Sequence, residues 1–239
     1  AGLRSFNMRM PEEINRILAD RVSSLLFCPT ETAVRNLQAE GLAKGVVNVG
    51  DVMYDVALFY RDRARQHSEV LQRLRLRPGN FALATCHRAE NTDDPERLGG
   101  ILSALARTAE GLPVVLPLHP RTRKLAEEHD LLHHLDSLTL TEPLPFLDMV
   151  ALEQAARLIL TDSGGVQKEA FFYRVPCITM RDETEWVETV ETGWNRLVGA
   201  SCPAIVAAVS AVLAGRAGVE QGNPYGDGTA ARAIVSRLL

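Results

Sequence analysis

Cysteine is sparse here, and nothing pairs it. Cys28, Cys86, Cys177 and Cys202 are scattered through 239 residues with no C-x-x-C and no ligand-like spacing. A disulfide framework and a zinc module are therefore not indicated, and buried free thiols in a reducing cytoplasm are the natural reading. Long apolar runs are also lacking. The most apolar early stretch, Val22–Cys28, is too short to cross a bilayer and has the wrong flanks for a signal peptide. Basic charge is not in excess: a formal net charge of −4 argues against nucleic acid or an anionic membrane as the main partner, because both reward a basic face. There is no Walker lysine motif, no dinucleotide fingerprint and no nucleophile elbow, so neither ATP nor NAD chemistry is supported.

What remains is ordinary globular material, 46% hydrophobic and 23% charged, enough for a sizeable core. From Pro11 to Phe27, Ile14, Ile17, Leu18, Val22, Leu25 and Leu26 recur at helical spacing, and Pro11 suits a first helical turn. Thr30 can cap a second helix, Glu31 to Glu40, which stops at Gly41. Val46–Val49 reads as a strand, and a long helix runs from Val52 to about Leu74 before the break at Arg77-Pro78-Gly79-Asn80. After that break, short apolar strands alternate with helices. Strands are expected at Phe81–Thr85, Val114–Leu118, Leu138–Leu140, Leu158–Thr161, Cys177–Met180 and Arg196–Val198, and helices at Pro95–Glu110, Thr122–Leu135 and Phe146–Ala156. That alternation requires a parallel sheet covered on both faces, so the fold class is α/β with a doubly wound domain. Residues 1–50 supply two helices and one strand, too little to close a core, and read as the C-terminal part of a second α/β domain. Residues 51–78 are a linking helix and hinge, and 79–239 the C-terminal domain.

In open α/β sheets ligands bind beyond the carboxyl ends of the strands. The strand Leu158–Thr161 runs into Asp162-Ser163-Gly164-Gly165-Val166-Gln167-Lys168-Glu169. Two glycines let a ligand approach the backbone, helix N–H groups favour an anion, and Ser163 adds a hydroxyl. The alternative is a tight strand–helix turn that needs glycine for sterics alone. Glu169, one turn onward, is within reach of a ribose. The strand Phe81–Thr85 ends at Cys86-His87-Arg88-Ala89-Glu90-Asn91, where the His87–Arg88 pair suits an anionic substrate or leaving group, against the alternative of a solvated surface pair. A third polar cluster, Arg181 to Glu188, follows the strand Cys177–Met180. His129 and His133 stand four apart on a helix, but no further ligand completes a metal site; His119 is a weaker candidate for the same edge.

Taken together, AGLRS with PEEINR, FCPTETAVRNL, VGDVMYD, TCHRAEN, LPLHPRTRK, LTDSGGVQKEA, MRDETEWVETVETGWN and NPYGDG resemble the non-hydrolysing UDP-N-acetylglucosamine 2-epimerase family, in family order over nearly the whole chain. The resemblance implies a two-domain glycosyltransferase-B type fold with the site in the interdomain cleft, a last helix crossing back to the N-terminal domain, a homodimer, and a reaction without metal or cofactor. That reaction interconverts UDP-GlcNAc and UDP-ManNAc through a glycal, in cell-surface polysaccharide precursor synthesis. Carried over by position, Glu12 is a catalytic carboxylate and His87 assists departure and return of UDP. Ser163, Gly164 and Gly165 meet the diphosphate, Glu169 meets the ribose, and Arg88, Arg181 and Glu185 complete the substrate-binding set. The family places another catalytic Glu directly before AGLR, behind a full α/β domain. On that resemblance the chain is expected to be N-terminally incomplete and inactive alone. A UDP-sugar-binding fragment without catalysis and a glycosyltransferase of the same fold are the competing readings.

Overall fold

The structure is a computed structural model and describes residues 1–215 and 222–239. The chain divides into two compact units. Unit 1 comprises Ala1–Phe59, Glu183–Glu188 and the described part of Glu220–Leu239; unit 2 comprises Tyr60–Asp182 and the described part of Thr189–Val219. Unit 1 thus takes in Glu183–Glu188 and the described part of Glu220–Leu239, and the helix that begins at Val52 contributes to both units.

In unit 1, helix α1 (Pro11–Val22) is followed by strand β1 (Leu26–Cys28), helix α2 (Glu31–Ala39) and strand β2 (Val46–Asn48). The helix expected to reach Phe27 ends at Val22. Residues Leu26–Cys28 instead form a strand that the sequence reading did not contain, paired in parallel with the expected strand at Val46–Asn48. A three-residue apolar segment carries no period, so periodicity could not separate it from the helix before it. Thr30 caps α2 by accepting the Ala33 N–H at 3.2 Å. The core of the unit includes Leu26, Cys28, Ala33 and Leu37.

Helix α1 faces the opposite way from the usual amphipathic rule. It buries Glu13 and Asp20 and leaves Ile14, Leu18 and Val22 exposed at 41%, 58% and 84%. The buried carboxylates are committed to the opening segment. The Arg4 guanidinium, 1% exposed, donates to Asp20 at 2.8 Å and to Glu40 at 2.7 Å. Glu13 accepts from the Ser5 N–H (2.9 Å), the Ser5 hydroxyl (3.0 Å), the Phe6 N–H (3.1 Å) and Arg16 (2.6 Å). Gly2, at φ +78°, is required: a Cβ there would lie 2.2 Å from the Ala33 carbonyl oxygen.

These bonds set an acid limb. Burial alone would raise Glu13, but the donors from Ser5, Arg16 and Phe6 bring it below its ordinary 4.5; the Arg4 hydrogen bond lowers Glu40 likewise. A carboxylate whose folded pKa is depressed adds stability that is complete above the unfolded value and is lost as pH falls through the folded one. Urea midpoints are therefore expected to hold above about pH 4.5 and to fall below it. Glu13→Gln should flatten that fall; an equally steep acid limb in the variant would assign the acid sensitivity elsewhere.

Among the described residues unit 2 carries six strands, β3 (Ala82–Thr85), β4 (Val114–Pro117), β5 (Thr139–Thr141), β6 (Leu158–Thr161), β7 (Cys177–Thr179) and β8 (Asn195–Leu197). They form one parallel sheet in the order β5-β4-β3-β6-β7-β8. Alternate residues feed two cores. Ala82, Ala84, Leu116, Leu158, Leu160 and Ile178 pack on one face, and Phe81, Leu83, Val115, Ile159 and Cys177 on the other. This is why the strands read as continuous apolar runs.

Across these units the remaining helices, in chain order, are α3 (Val52–His67), α4 (Val70–Arg73), α5 (Ala89–Thr92), α6 (Pro95–Ala109), α7 (Pro120–Glu128), α8 (Phe146–Ala155), α9 (Gly164–Phe172), α10 (Val187–Glu191), α11 (Cys202–Leu213) and α12 (Ala230–Leu238). The long helix expected from Val52 to Leu74 is interrupted at Ser68, whose hydroxyl donates to Asp148 at 2.6 Å and accepts the Val70 N–H at 3.3 Å. The helix expected to run to Leu135 stops at Glu128. Asp130 takes φ +57°, and a 3₁₀ turn covers Leu132–Leu135. In unit 1, Asp55 caps α12 by accepting the Ala230 and Ala231 N–H groups. Cys28, Cys86 and Cys177 are buried free thiols, and Cys202 is free and half-buried. Among the described residues no helix is long and apolar enough to cross a membrane.

Candidate functional site

The order of the sheet in unit 2 reverses at its centre. β3 continues through β4 to β5 on one side, and β6 through β7 to β8 on the other. The crevice beyond the carboxyl ends of two such central strands is where ligands bind in doubly wound folds. Thr85 and Thr161, the last residues of β3 and β6, pair in register with their hydroxyl oxygens 2.6 Å apart. The segments that leave this point carry His87, Arg88, Ser163, Gly164 and Gly165.

Asp162 ties the two segments together. Its side chain is fully buried and accepts the His87 and Arg88 N–H groups at 3.0 Å each, and the Asn91 Nδ2 at 3.3 Å. The His87 Nδ1 lies 3.6 Å from the same carboxylate, with the His87 side chain 46% exposed. Asn91 also donates to the Met180 carbonyl at 2.9 Å. Burial pushes the Cys86 thiol well up, and the adjacent, hydrogen-bonded Asp162 carboxylate adds to the shift. Cys86 is accordingly a protonated packing residue, not a nucleophile.

Ser163 occupies the N-cap position of α9, but its side chain makes no cap bond. The first N–H groups of a helix have no intrahelical acceptor, so this turn presents donors and the positive end of the helix dipole. Gly164 is buried and Gly165 exposed. A Cβ on Gly165 would meet only the Ser163 Oγ, at 3.8 Å. Packing does not demand a glycine there, so sterics alone leave it unexplained.

Further along α9, Glu169 is half-buried and burial raises its carboxyl above the ordinary value, while Glu153 of α8 is held well above it by burial and then by the charge of Glu169. Arg181, two residues beyond β7, is fully buried, and its carbonyl accepts the Gly199 N–H at 3.1 Å. His119 caps α7, its Nδ1 accepting the Arg121 N–H at 3.2 Å.

Glu12 and Glu185 belong to unit 1. The two carboxylates of Pro11-Glu12-Glu13 have opposite fates: Glu13 is 1% exposed and bound by the opening loop, whereas Glu12 is exposed. Glu185 is 7% exposed and lies 3.9 Å from Arg16. Trp186, also buried, packs near Tyr225 with ring centroids 6.3 Å apart.

Sequence reasoning assigned no part to Asp162, Asn91 or Glu153. Asp162 stood in the quoted strand–glycine segment, and a carboxylate following a fully apolar strand was the available signal. Glu153 is a lone carboxyl within the apolar run Val150-Ala151-Leu152, a weaker signal of the same kind.

A sequence model of the family described as UDP-N-acetylglucosamine 2-epimerase matches residues 1–239. The chain is 51% identical to a UDP-2,3-diacetamido-2,3-dideoxy-D-glucuronate 2-epimerase of Pseudomonas aeruginosa over 100% of its own length and 66% of that protein. It is 41% identical to a UDP-N-acetylglucosamine 2-epimerase of Methanocaldococcus jannaschii, again over its whole length and 67% of that protein. Among solved structures, the M. jannaschii UDP-GlcNAc 2-epimerase in complex with UDP-GlcNAc and UDP superposes with a TM-score of 0.89 at 40% identity, covering 100% of this chain and 67% of that one. A Neisseria meningitidis UDP-GlcNAc 2-epimerase bound to UDP-GlcNAc gives 0.87 at 32% identity, covering 100% and 68%. The chain thus spans about two thirds of the length of the relatives it matches, and its fold is α/β of the glycosyltransferase-B type.

Proposed function

We infer a function from the family: this chain belongs to the UDP-N-acetylglucosamine 2-epimerases, whose model covers all of its residues. For the protein at its relatives' full length, the proposed activity is interconversion of UDP-GlcNAc and UDP-ManNAc. For these 239 residues, the proposed task is to hold UDP. The observation that carries the reading is the pairing of the His87–Arg88 segment with the Ser163-Gly164-Gly165 helix start, through Asp162, at the reversal point of the sheet. A His–Arg segment tied to a helix N-terminus is suited to a diphosphate.

In the proposed reaction a base takes the C2 proton, the C–H electron pair becomes the C1=C2 bond, and the C1–O pair leaves with UDP. The proton returns to the other face of C2 and UDP re-adds at C1. Glu12, exposed where Glu13 is committed to structure, is proposed as one carboxylate handling the C2 proton. His87 and Arg88 are proposed to offset charge on the departing diphosphate, with Ser163, Gly164 and Gly165 donating to it and Glu169 accepting from ribose hydroxyls. Arg181 and Glu185, both buried, are proposed to bind the substrate. A cytoplasmic homodimer making precursors of surface polysaccharide fits the same reading.

The 51% identity to a diacetamido-glucuronate epimerase favours a second reading of the sugar alone, with the same elimination at C2. Both are tested by incubating the full-length protein in D2O with each UDP-sugar and following C2 by NMR, alongside UDP titration of the 239-residue chain. Deuterium at C2 together with the epimer is expected, and the preferred sugar separates the two readings. UDP binding without exchange would leave a binding protein. Absence of UDP binding would overturn the whole reading.

A further inference from the structure

An arginine on α6 starts a chain of hydrogen bonds that ends beside His87, all within unit 2. The Arg97 Nε donates to the Asn91 Oδ1 at 3.0 Å, and its Nη1 donates to Asp182 at 2.9 Å. Its Nη2 lies 3.6 Å from Glu90. Asn91 is fully buried, and its Nδ2 donates to the Asp162 Oδ2 at 3.3 Å and to the Met180 carbonyl at 2.9 Å. An amide accepts at one end and donates at the other, whereas a guanidinium only donates. Arg97 therefore selects the end of Asn91 that faces it and turns the NH₂ toward two acceptors. The reversed amide would set its oxygen against a carboxylate and a carbonyl. Gly199, at φ +62°, leaves room for Asp182: a Cβ there would lie 2.7 Å from the Asp182 Oδ1.

Asp162 carries this order to the ring. Its Oδ2 takes the Asn91 amide and the Arg88 N–H, which fixes the rotation of the carboxylate. Its Oδ1 then stands 3.6 Å from the His87 Nδ1, the separation of a charge pair and not of a hydrogen bond. An acceptor on that side of the ring favours a proton on Nδ1, and the partner of one imidazole nitrogen decides what the other can do. We propose that Arg97 and Asn91 are positioning residues: through Asp162 they turn His87 so that Nδ1 carries its proton toward the carboxylate and Nε2 meets the diphosphate. This rests on the reading that unit 2 binds UDP. A simple cross-link between α6 and the strand ends would instead change stability and leave both the ring and the ligand alone.

The experiment compares the wild-type chain with Arg97→Ala, His87→Ala and the double variant. The ¹⁵N spectra of the imidazoles at alkaline pH, where an ordinary histidine is neutral, report the tautomer, and the His87 signals are those lost in His87→Ala. Wild type is expected to hold the proton on Nδ1, and Arg97→Ala to mix the two tautomers. Calorimetric titration should show UDP binding weakened about tenfold by Arg97→Ala, the scale of one lost hydrogen bond to a charged group. In the His87→Ala background the same substitution should cost less than about twofold, because residues that act through one another are not additive. Equal losses in both backgrounds, or wild-type affinity in Arg97→Ala, would overturn the positioning role. A wild-type proton on Nε2 would overturn the orientation without recourse to any binding measurement. If the wild-type chain binds no UDP, the functional reading falls and takes the ligand half of this role with it, while the spectra still decide how the ring is held.

Discussion

Asp162→Ala is expected to lower the unfolding free energy by about 3–5 kcal/mol, the usual cost of removing one partner of a buried charged network. The carboxylate is fully buried and is met by two backbone N–H groups, by the Asn91 amide and by the Cys86 thiol. Removing it leaves these donors facing one another across a small void, and each orphaned donor costs about 1–3 kcal/mol. Asp162→Asn should fall between, because one amide oxygen still accepts from the loop while its NH₂ confronts the Asn91 amide. His87→Ala, by contrast, truncates a side chain that is 46% exposed and should leave the melt nearly unchanged. Urea unfolding of the three variants measures the difference. A wild-type midpoint for Asp162→Ala would mean that the turn after β3 is held by something other than this carboxylate. The same substitution should also abolish UDP binding, since it frees the segment carrying His87 and Arg88 from the helix start opposite.

Gly165→Ala should do the reverse, sparing the fold and damaging the ligand. No atom but the Ser163 Oγ, at 3.8 Å, stands near the position its Cβ would take. Alanine is favoured over glycine within helices by about 0.8–1.0 kcal/mol, so stability should hold or rise slightly. If the α9 N–H groups contact a diphosphate directly, the added methyl lies where the ligand must approach. Losing one charge-assisted bond weakens UDP binding by about 10–100-fold. Gly100→Ala in α6 is the control for a glycine that packing demands. Its Cβ would sit 2.4 Å from the Ala200 carbonyl oxygen, so it should destabilise the sheet–helix layer. Calorimetric titration with UDP, paired with thermal melts, separates the two behaviours. Wild-type affinity in Gly165→Ala would remove Gly165 from the diphosphate contacts.

Several features were legible without coordinates because they depend on local pattern. Strand β6 was read to the residue, since Leu158-Ile159-Leu160-Thr161 leads directly into an Asp-Ser-Gly-Gly turn. Thr30 was identified as a cap because its hydroxyl needs only the N–H three residues on. The short strand Leu26–Cys28 was not legible. Its pairing with Val46–Asn48 is a relation across about twenty residues, and too short a segment carries no period of its own. Helix α1 misled for a related reason. Its apolar spacing predicts an inward face of Ile14, Leu18 and Val22, yet the buried side chains are Glu13 and Asp20, because the opening segment supplies their donors.

The sequence by itself determined the α/β class, the alternation of elements and the residue types that leave the strand ends, because these follow from period, turn chemistry and composition. Only the tertiary structure decided the strand order, and with it the place of the reversal between β3 and β6, since register and order are set by contacts between distant segments. It also divided like from like. Glu12 and Glu13 are neighbours of the same type, and burial with four donors separates one from the other. Asp162 gained its part in the same way: a buried carboxylate's role depends on the donors that surround it.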